Sequence, residues 1–422
     1  MFGNDMQTMF EEIIDAKKVG LSKDRLKRIE VTMQKYIDEE LYAGLSTMVC
    51  RKGSLVQKSF IGYADIASRR KLNSATLYRV YSMTKPITAT LVMTLFEEGK
   101  LRLTDPISDY LPEFKNITVL EVDDQGNHTC VKPHSLPTIH NLLTHTAGFS
   151  YHFAEDTPVA KMYDMSSFEA DDLRSFISAL SMVPLAFHPG TQWHYGLNID
   201  VAACIAEVVA GMPFHELLTT RLLKPLEMND TYFSVPYSER SRIATMYGVM
   251  DIANSEFNST NVEKKYNKQK HLQIVDAQKS SPYNREGFAR GGHGLIMTLD
   301  DYGRFCQMLL NKGELDGARI LGRKTIEFMH ENHVSQTILR ATWDQEQLQG
   351  YGHGLGSRVC LNPPAAQVMS SPGEYGWGGA AKTFYFIDPK EEMFGVFMTQ
   401  KMAAIENPDK DFMNLTYQAL ID

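Results

Sequence analysis

A serine and a lysine stand three residues apart in the stretch Tyr81-Ser82-Met83-Thr84-Lys85-Pro86. Residues at that spacing share one face of a helix, so an amine at 85 can reach a hydroxyl at 82. A serine hydroxyl is a poor nucleophile at neutral pH and needs a neighbouring base. A lysine serves as that base when burial or nearby positive charge holds it neutral. At a helix N-terminus, backbone N–H groups and a partial positive charge also suit a developing oxyanion. The tetrapeptide alone is equally what a helix cap and a solvated lysine look like, so it needs support from the rest of the chain.

Two further stretches offer that support. Trp193-His194-Tyr195-Gly196-Leu197-Asn198 follows the turn Pro189-Gly190 and precedes an apolar helical run. Tyr195 then falls on a loop, where a tyrosine could relay protons beside a lysine, or simply pack with its hydroxyl satisfied. Gly376-Trp377-Gly378-Gly379-Ala380-Ala381 comes at the start of the strand expected over Thr383 to Ile387. Glycines at a strand edge let a substrate carbonyl approach the backbone; a bulge or tight turn would use them too. His140 and His145 lack metal-ligand spacing with any Cys or carboxylate cluster, and His145 reads as a satisfied structural histidine. No metal and no cofactor is expected. Gly291-Gly292-His293-Gly294-Leu295 is a glycine turn without the Lys-Ser/Thr pair of a phosphate loop.

The elements that must position these residues follow from periodicity. Ile87, Leu91 and Leu95, with Val92 and Phe96 beside them, mark an amphipathic helix. Pro86 lies in its first turn and Gly99 stops it. Leu21 to Glu40 reads as a polar amphipathic helix with Leu26, Ile29, Met33 and Ile37 on its apolar face. Leu45 to Arg51 and Leu55 to Tyr63 form a hairpin around Lys52-Gly53-Ser54. The region from about 100 to 285 reads as largely helical, with a capped helix ending at Gly148 and another over Ile199 to Gly211. Its polar stretch 254–285 reads as a long insertion or lid. Helix Asp300 to Leu310, strands Thr383 to Ile387 and Met393 to Thr399, and a final helix over Asp411 to Ile421 complete the chain. The expected fold is α/β plus an all-helical region: an antiparallel sheet flanked by helices, with an inserted, mostly helical domain. Residues 1–75 and 286–422 would form the α/β domain and 76–285 the helical one, carrying the nucleophile helix.

Composition sets the class. The 422 residues are 43% apolar and 22% charged, as in soluble globular proteins. A net charge of −8 gives no basic face for nucleic acid. No apolar run approaches the roughly 20 residues of a membrane span. Residues 1–20 carry four acidic residues and no basic n-region, so they are not a secretory signal, and a cytoplasmic location is expected. The five cysteines are scattered and never form Cys-x-x-Cys, which suits buried thiols in a reducing compartment.

In order and spacing the three motifs resemble those of the serine β-lactamase and penicillin-binding-protein superfamily. More closely, the chain resembles the family VIII carboxylesterases, related in fold to class C β-lactamases. The likeness spans residues 25 to 420 and includes Leu142-Leu143-Thr144-His145-Thr146-Ala147-Gly148, the glycine turn at 291–295, and Trp377-Gly378-Gly379 followed by Asp388-Pro389. It implies that Ser82 is the nucleophile, Lys85 its proton partner, and Tyr195 the tyrosine sharing base and acid duties. The oxyanion hole would be the backbone N–H groups of Ser82 and Ala380. Substrate contacts are expected at Trp377, Gly378, Gly379, Tyr151 and Trp193.

Departures from the family pattern sharpen the substrate. Trp377-Gly378-Gly379 stands where penicillin-recognising relatives have Lys-Thr-Gly, replacing a cation with an indole. Lys382-Thr383-Phe384 nearly repeats the lost motif, but Phe384 would block close backbone approach, and on a regular strand Lys382 would point away. Asn198 stands one place later than the class C amide. The expected function is a serine hydrolase cleaving short-chain, neutral carboxylic esters through an acyl-enzyme, with a small-molecule ester as its partner. A β-lactamase or D-alanyl carboxypeptidase, an acyltransferase, and a non-catalytic binding protein are the alternatives. An α/β-hydrolase is disfavoured because no Gly-x-Ser-x-Gly elbow occurs.

Overall fold

The computed structural model describes residues 9–154, 157–163, 170, 172–251, 256–268, 272–277, 289–339 and 349–422. Its largest element is an eight-stranded sheet. The strands are β1 (Gly44–Arg51), β2 (Ser54–Asp65), β3 (Arg70–Lys71), β4 (Tyr351–His353), β5 (Arg358–Cys360), β6 (Tyr375–Gly378), β7 (Phe384–Asp388) and β8 (Met393–Thr399). Their spatial order is β4-β5-β6-β7-β8-β1-β2-β3, with every pairing antiparallel. The sheet is thus made from both ends of the chain, and everything between β3 and β4 is inserted.

The pleat sends alternate side chains to two different cores. On β8, Phe394, Val396 and Met398 face one apolar cluster, and Met393 and Phe397 face the other. Both faces are covered, so β8 reads as a continuous apolar run rather than an alternating one. The first cluster includes Tyr302, Phe305, Met308 and Leu309 of helix Leu299–Leu310. The second is closed by Leu26, Ile29 and Met33 of helix Lys23–Asp38 and by Phe412, Met413 and Tyr417 of helix Pro408–Tyr417.

The helix after Ser82 spans Thr84–Glu97 and is not amphipathic: every residue from Thr84 to Leu95 is buried. Its threonines hide this in the sequence. Thr90 Oγ1 donates to the Pro86 carbonyl at 2.8 Å, Thr94 Oγ1 to that of Leu91 at 2.7 Å, and Thr88 Oγ1 to that of Gly291 at 2.8 Å. Satisfied hydroxyls can be buried at little cost, so a polar-looking face lies in the core.

Elsewhere the expected elements shift modestly. The 100–285 region contains helices Ile139–Leu143, Leu173–Leu180 and Asn198–Ala210, but also a hairpin, Val119–Val122 with His128–Val131, that periodicity does not suggest. The polar stretch 254–285 lies partly outside the described residues. Its described part holds helix Ser259–Tyr266 and strand Gln273–Asp276, which pairs with Met246–Gly248. Four cysteines are buried thiols as expected; Cys130 is instead exposed on the hairpin.

Candidate active site

Ser82 lies in a single 3-10 turn, Tyr81–Met83, and the long helix starts directly after it. Tyr81 holds a positive φ of 44°, unfavourable for a side chain of its size unless the surroundings impose it. They do. The Val80 N–H donates to the Leu295 carbonyl at 3.1 Å, and the Leu295 N–H donates to Thr84 Oγ1 at 3.1 Å. The Tyr302 hydroxyl donates to the Met83 carbonyl at 3.1 Å, and Thr383 Oγ1 to that of Val80 at 3.3 Å. Pro86 is the third helical residue, where an N–H would have no intrahelical acceptor.

Lys85 is 1% exposed, and its Nζ has three oxygen neighbours: Ser82 Oγ at 3.1 Å, Tyr151 Oη at 3.1 Å and the Gly292 carbonyl at 2.6 Å. Burial lowers its pKa to about 7; Asp200 pulls it upward and Arg290 pushes it down. Without its extra proton, the amine can donate to Gly292 and Tyr151 and keep its lone pair for the Ser82 hydroxyl. The Tyr151 phenol is held well above its ordinary pKa by burial and by Tyr195 and Asp200, so it stays protonated.

Tyr195 presents its ring to Lys85, with Nζ 4.7 Å from the ring centroid. Its hydroxyl accepts a hydrogen bond from Trp377 Nε1 at 3.3 Å. The Tyr151 hydroxyl, expected above only as a substrate contact, also meets the lysine nitrogen. Trp193 is buried and stacks on Tyr195 at 6.2 Å. Behind them His145 is buried and held neutral, well below the usual histidine range, by burial and by His353 and Lys85. Its Nδ1 accepts from the Asn198 amide at 3.0 Å. Asn198 thus orients a structural histidine.

Trp377, Gly378, Gly379 and Ala380 approach from the sheet. The motif does not start the strand Phe384–Asp388. It is the end of β6 and the turn to β7, with Trp377 opposite Tyr385 and Gly378 opposite Phe384. At Gly379 a Cβ would run into Thr383 Oγ1 and the Val80 carbonyl, so only glycine lets this edge sit against the nucleophile turn. Lys382 is in the turn, with φ 61°, and reaches Asn407 Oδ1 at 3.3 Å and Asp409 at 3.6 Å. The alternation expected to turn it away does not apply, since the chain reverses there.

One cavity of about 650 Å³ brings Ser82, Tyr151, Trp193, Tyr195, Trp377, Gly378, Gly379 and Ala380 into a common lining. The buried Lys85 touches two members of this lining, Ser82 and Tyr151. Sequence reasoning missed two parts of the site. The Gly292 carbonyl leaves no side-chain signature. Asp200 does leave one, a carboxylate within the apolar run of helix Asn198–Ala210.

A family model described as Beta-lactamase matches residues 29–419. A Mycobacterium tuberculosis protein is 30% identical over 414 residues, covering 93% of this chain and 98% of its own length. Esterase EstB of Burkholderia gladioli is 27% identical over 378 residues, 86% of each chain. Among solved structures EstCE1, described as a hydrolase with promiscuous acyltransferase activity, is 23% identical with a TM-score of 0.75, covering 94% of this chain and 99% of its own. At that identity the superposition speaks for the fold alone. The match across nearly the whole chain establishes that this protein belongs to the beta-lactamase family and carries the fold of its serine hydrolases.

Proposed function

We propose that this protein is a carboxylesterase that cleaves short-chain, uncharged esters through an acyl-enzyme on Ser82. The observation that carries this reading is the buried Lys85 nitrogen, 3.1 Å from Ser82 Oγ and poised near neutrality by burial. Lys85 takes the Ser82 proton as Oγ bonds to the ester carbonyl carbon. The carbonyl oxygen, now an anion, is held by the backbone N–H groups of Ser82 and Ala380. The carbon–alkoxy bond breaks, and the alcohol leaves with a proton supplied by Lys85 and Tyr195. Water then adds to the acyl carbon, giving up a proton to the same pair, and the acid departs as Ser82 regains its hydrogen. Trp377, Trp193 and Tyr151 provide apolar walls for the ester, and Gly378 and Gly379 allow its carbonyl to lie against the strand edge. The likeness to esterase EstB supports an ester substrate.

Acyl transfer to an alcohol is the second reading. A cavity of about 650 Å³ leaves room for an acceptor beside a short acyl group, and the chemistry is the same up to the acyl-enzyme. Adding an alcohol during turnover separates the two by product.

The decisive experiment uses a fluorophosphonate and nitrophenyl butyrate. The reagent should add its mass to the peptide containing Ser82 and to no other serine. Ser82→Ala should remove ester hydrolysis while the melting curve stays that of the parent. A folded Ser82→Ala protein with the parent rate would remove the nucleophile assignment.

A further inference from the structure

Asp200 is a carboxylate with no exposure, on the first turn of helix Asn198–Ala210, and it lies behind Lys85 rather than in contact with it. Its Oδ1 accepts the Gly292 N–H at 3.1 Å and Arg290 Nε at 3.0 Å. Its Oδ2 has no hydrogen-bond partner among the described residues. A Cβ on Gly292 would meet that carboxylate, so residue 292 can dock on Asp200 only as glycine. The other end of the Gly292 unit is the carbonyl that receives Lys85 Nζ at 2.6 Å. One residue thus carries both contacts, its N–H on the carboxylate and its C=O on the amine.

Replacing a buried ion pair by apolar residues is often neutral or stabilising, so this pair is weak evidence for a role in stability. Burial alone would raise the Asp200 pKa, yet Arg290 brings it below the usual range. The groups facing Lys85 are few. Ser82 and Tyr151 are neutral, Tyr195 offers a ring face, and His145 and His293 are both held uncharged by burial. Among the described residues that leaves Asp200 and Arg290 as the charges acting on the amine, with opposite signs.

We propose that Asp200, aimed by Arg290, is a positioning residue for Lys85: through Gly292 it fixes the carbonyl that orients the amine, and its buried charge opposes that of Arg290 at the amine. The proposal rests on the reading of Lys85 as the base for Ser82. It makes an unusual demand, because the two members of one ion pair should shift the same titration in opposite directions. Removing the carboxylate leaves Arg290 to destabilise the lysine cation. Removing the guanidinium leaves Asp200, whose ionised form the lysine cation itself also favours, to stabilise that cation.

The test is the pH dependence of Ser82 labelling by a fluorophosphonate, which reports the nucleophile without needing the natural ester. In the parent the labelling rate should rise through about pH 7, where Lys85 loses its proton. Asp200→Asn should move that midpoint down, and Arg290→Gln should move it up, each by about one pH unit, a tenfold change in the proton concentration required. A merely structural role would lower the plateau rate and leave the midpoint in place. Midpoints unchanged from the parent in folded variants, or shifts in the same direction, overturn the proposal. If Asp200→Asn does not fold, Arg290→Gln and Gly292→Ala decide it. The latter displaces the carboxylate without removing its charge and should lower the plateau, and an unmoved midpoint in Arg290→Gln overturns the proposal alone. Failure of the parent to be labelled at Ser82 at any pH would instead bring down the esterase reading and this proposal with it.

Discussion

Two tyrosines meet one lysine in this site, through different parts of the side chain. The Tyr151 hydroxyl accepts from Lys85 Nζ, whereas Tyr195 turns its ring to Lys85 and accepts Trp377 Nε1 on its hydroxyl. Lys85→Ala and Tyr195→Phe should each lower kcat by roughly a hundred- to ten-thousand-fold, the range for a lost acid–base group. If they act as one proton-transfer unit, the double variant should lose little more than either single one. If Tyr195 is the proton carrier proposed above, Tyr151→Phe should cost kcat less than Tyr195→Phe. Steady-state rates of the four variants on nitrophenyl butyrate check all of this. The sign of the pH dependence also follows. The active form is the neutral amine, so kcat/KM should rise as pH passes upward through about 7 and level off above it. A rate that falls over that interval would exclude Lys85 as the base.

The turn from β6 to β7 is the element that joins the sheet to the nucleophile. Gly379 sits against the Val80 carbonyl, and Thr383 Oγ1 donates to that same oxygen. Gly379→Ala must push the turn away from Val80, and overpacking of this kind costs about 1–3 kcal/mol. The displaced atoms include the Ala380 N–H, so the variant should melt earlier and also lose kcat. Gly378→Ala is the control: its nearest neighbour, the Thr383 carbonyl, lies 3.4 Å from the added carbon. Equal loss of stability in the two variants would mean that the contact with Val80 is not what holds the turn.

At the scale of the whole molecule, the proposed preference for an uncharged ester turns on Trp377, which places an indole in a cavity that Arg290, Arg358, Lys382 and Lys410 also line. A buried carboxylate without a partner is costly, and the indole N–H at that position is already given to Tyr195. Lys382, the nearest candidate replacement in sequence, reaches toward Asn407 and Asp409. The ratio of kcat/KM for nitrophenyl butyrate to that for a chromogenic cephalosporin should therefore be large. Trp377→Lys should shift it toward the cephalosporin. Comparable parent values for the two substrates would favour a β-lactamase.

What the sequence determined by itself were the features carried by short-range pattern and side-chain chemistry. Ser82 and Lys85 were legible because helical geometry places residues three apart on one face. The hairpin of β1 and β2, strand Met393–Thr399, and the helices closing the outer face were legible from their apolar period. The tertiary structure alone decided the rest, since each of those features depends on residues far apart in the chain. The nucleophile helix looks amphipathic because Thr88, Thr90 and Thr94 look polar; it is buried because carbonyls of its own turn and of Gly291 take their hydroxyls. Tyr151 becomes the lysine's phenol only where its loop passes Lys85, 66 positions away. Gly292 acts through a backbone carbonyl, which no residue type announces. Asp200 is linked to Lys85 by that glycine and by its charge, and neither link has a spacing to be read.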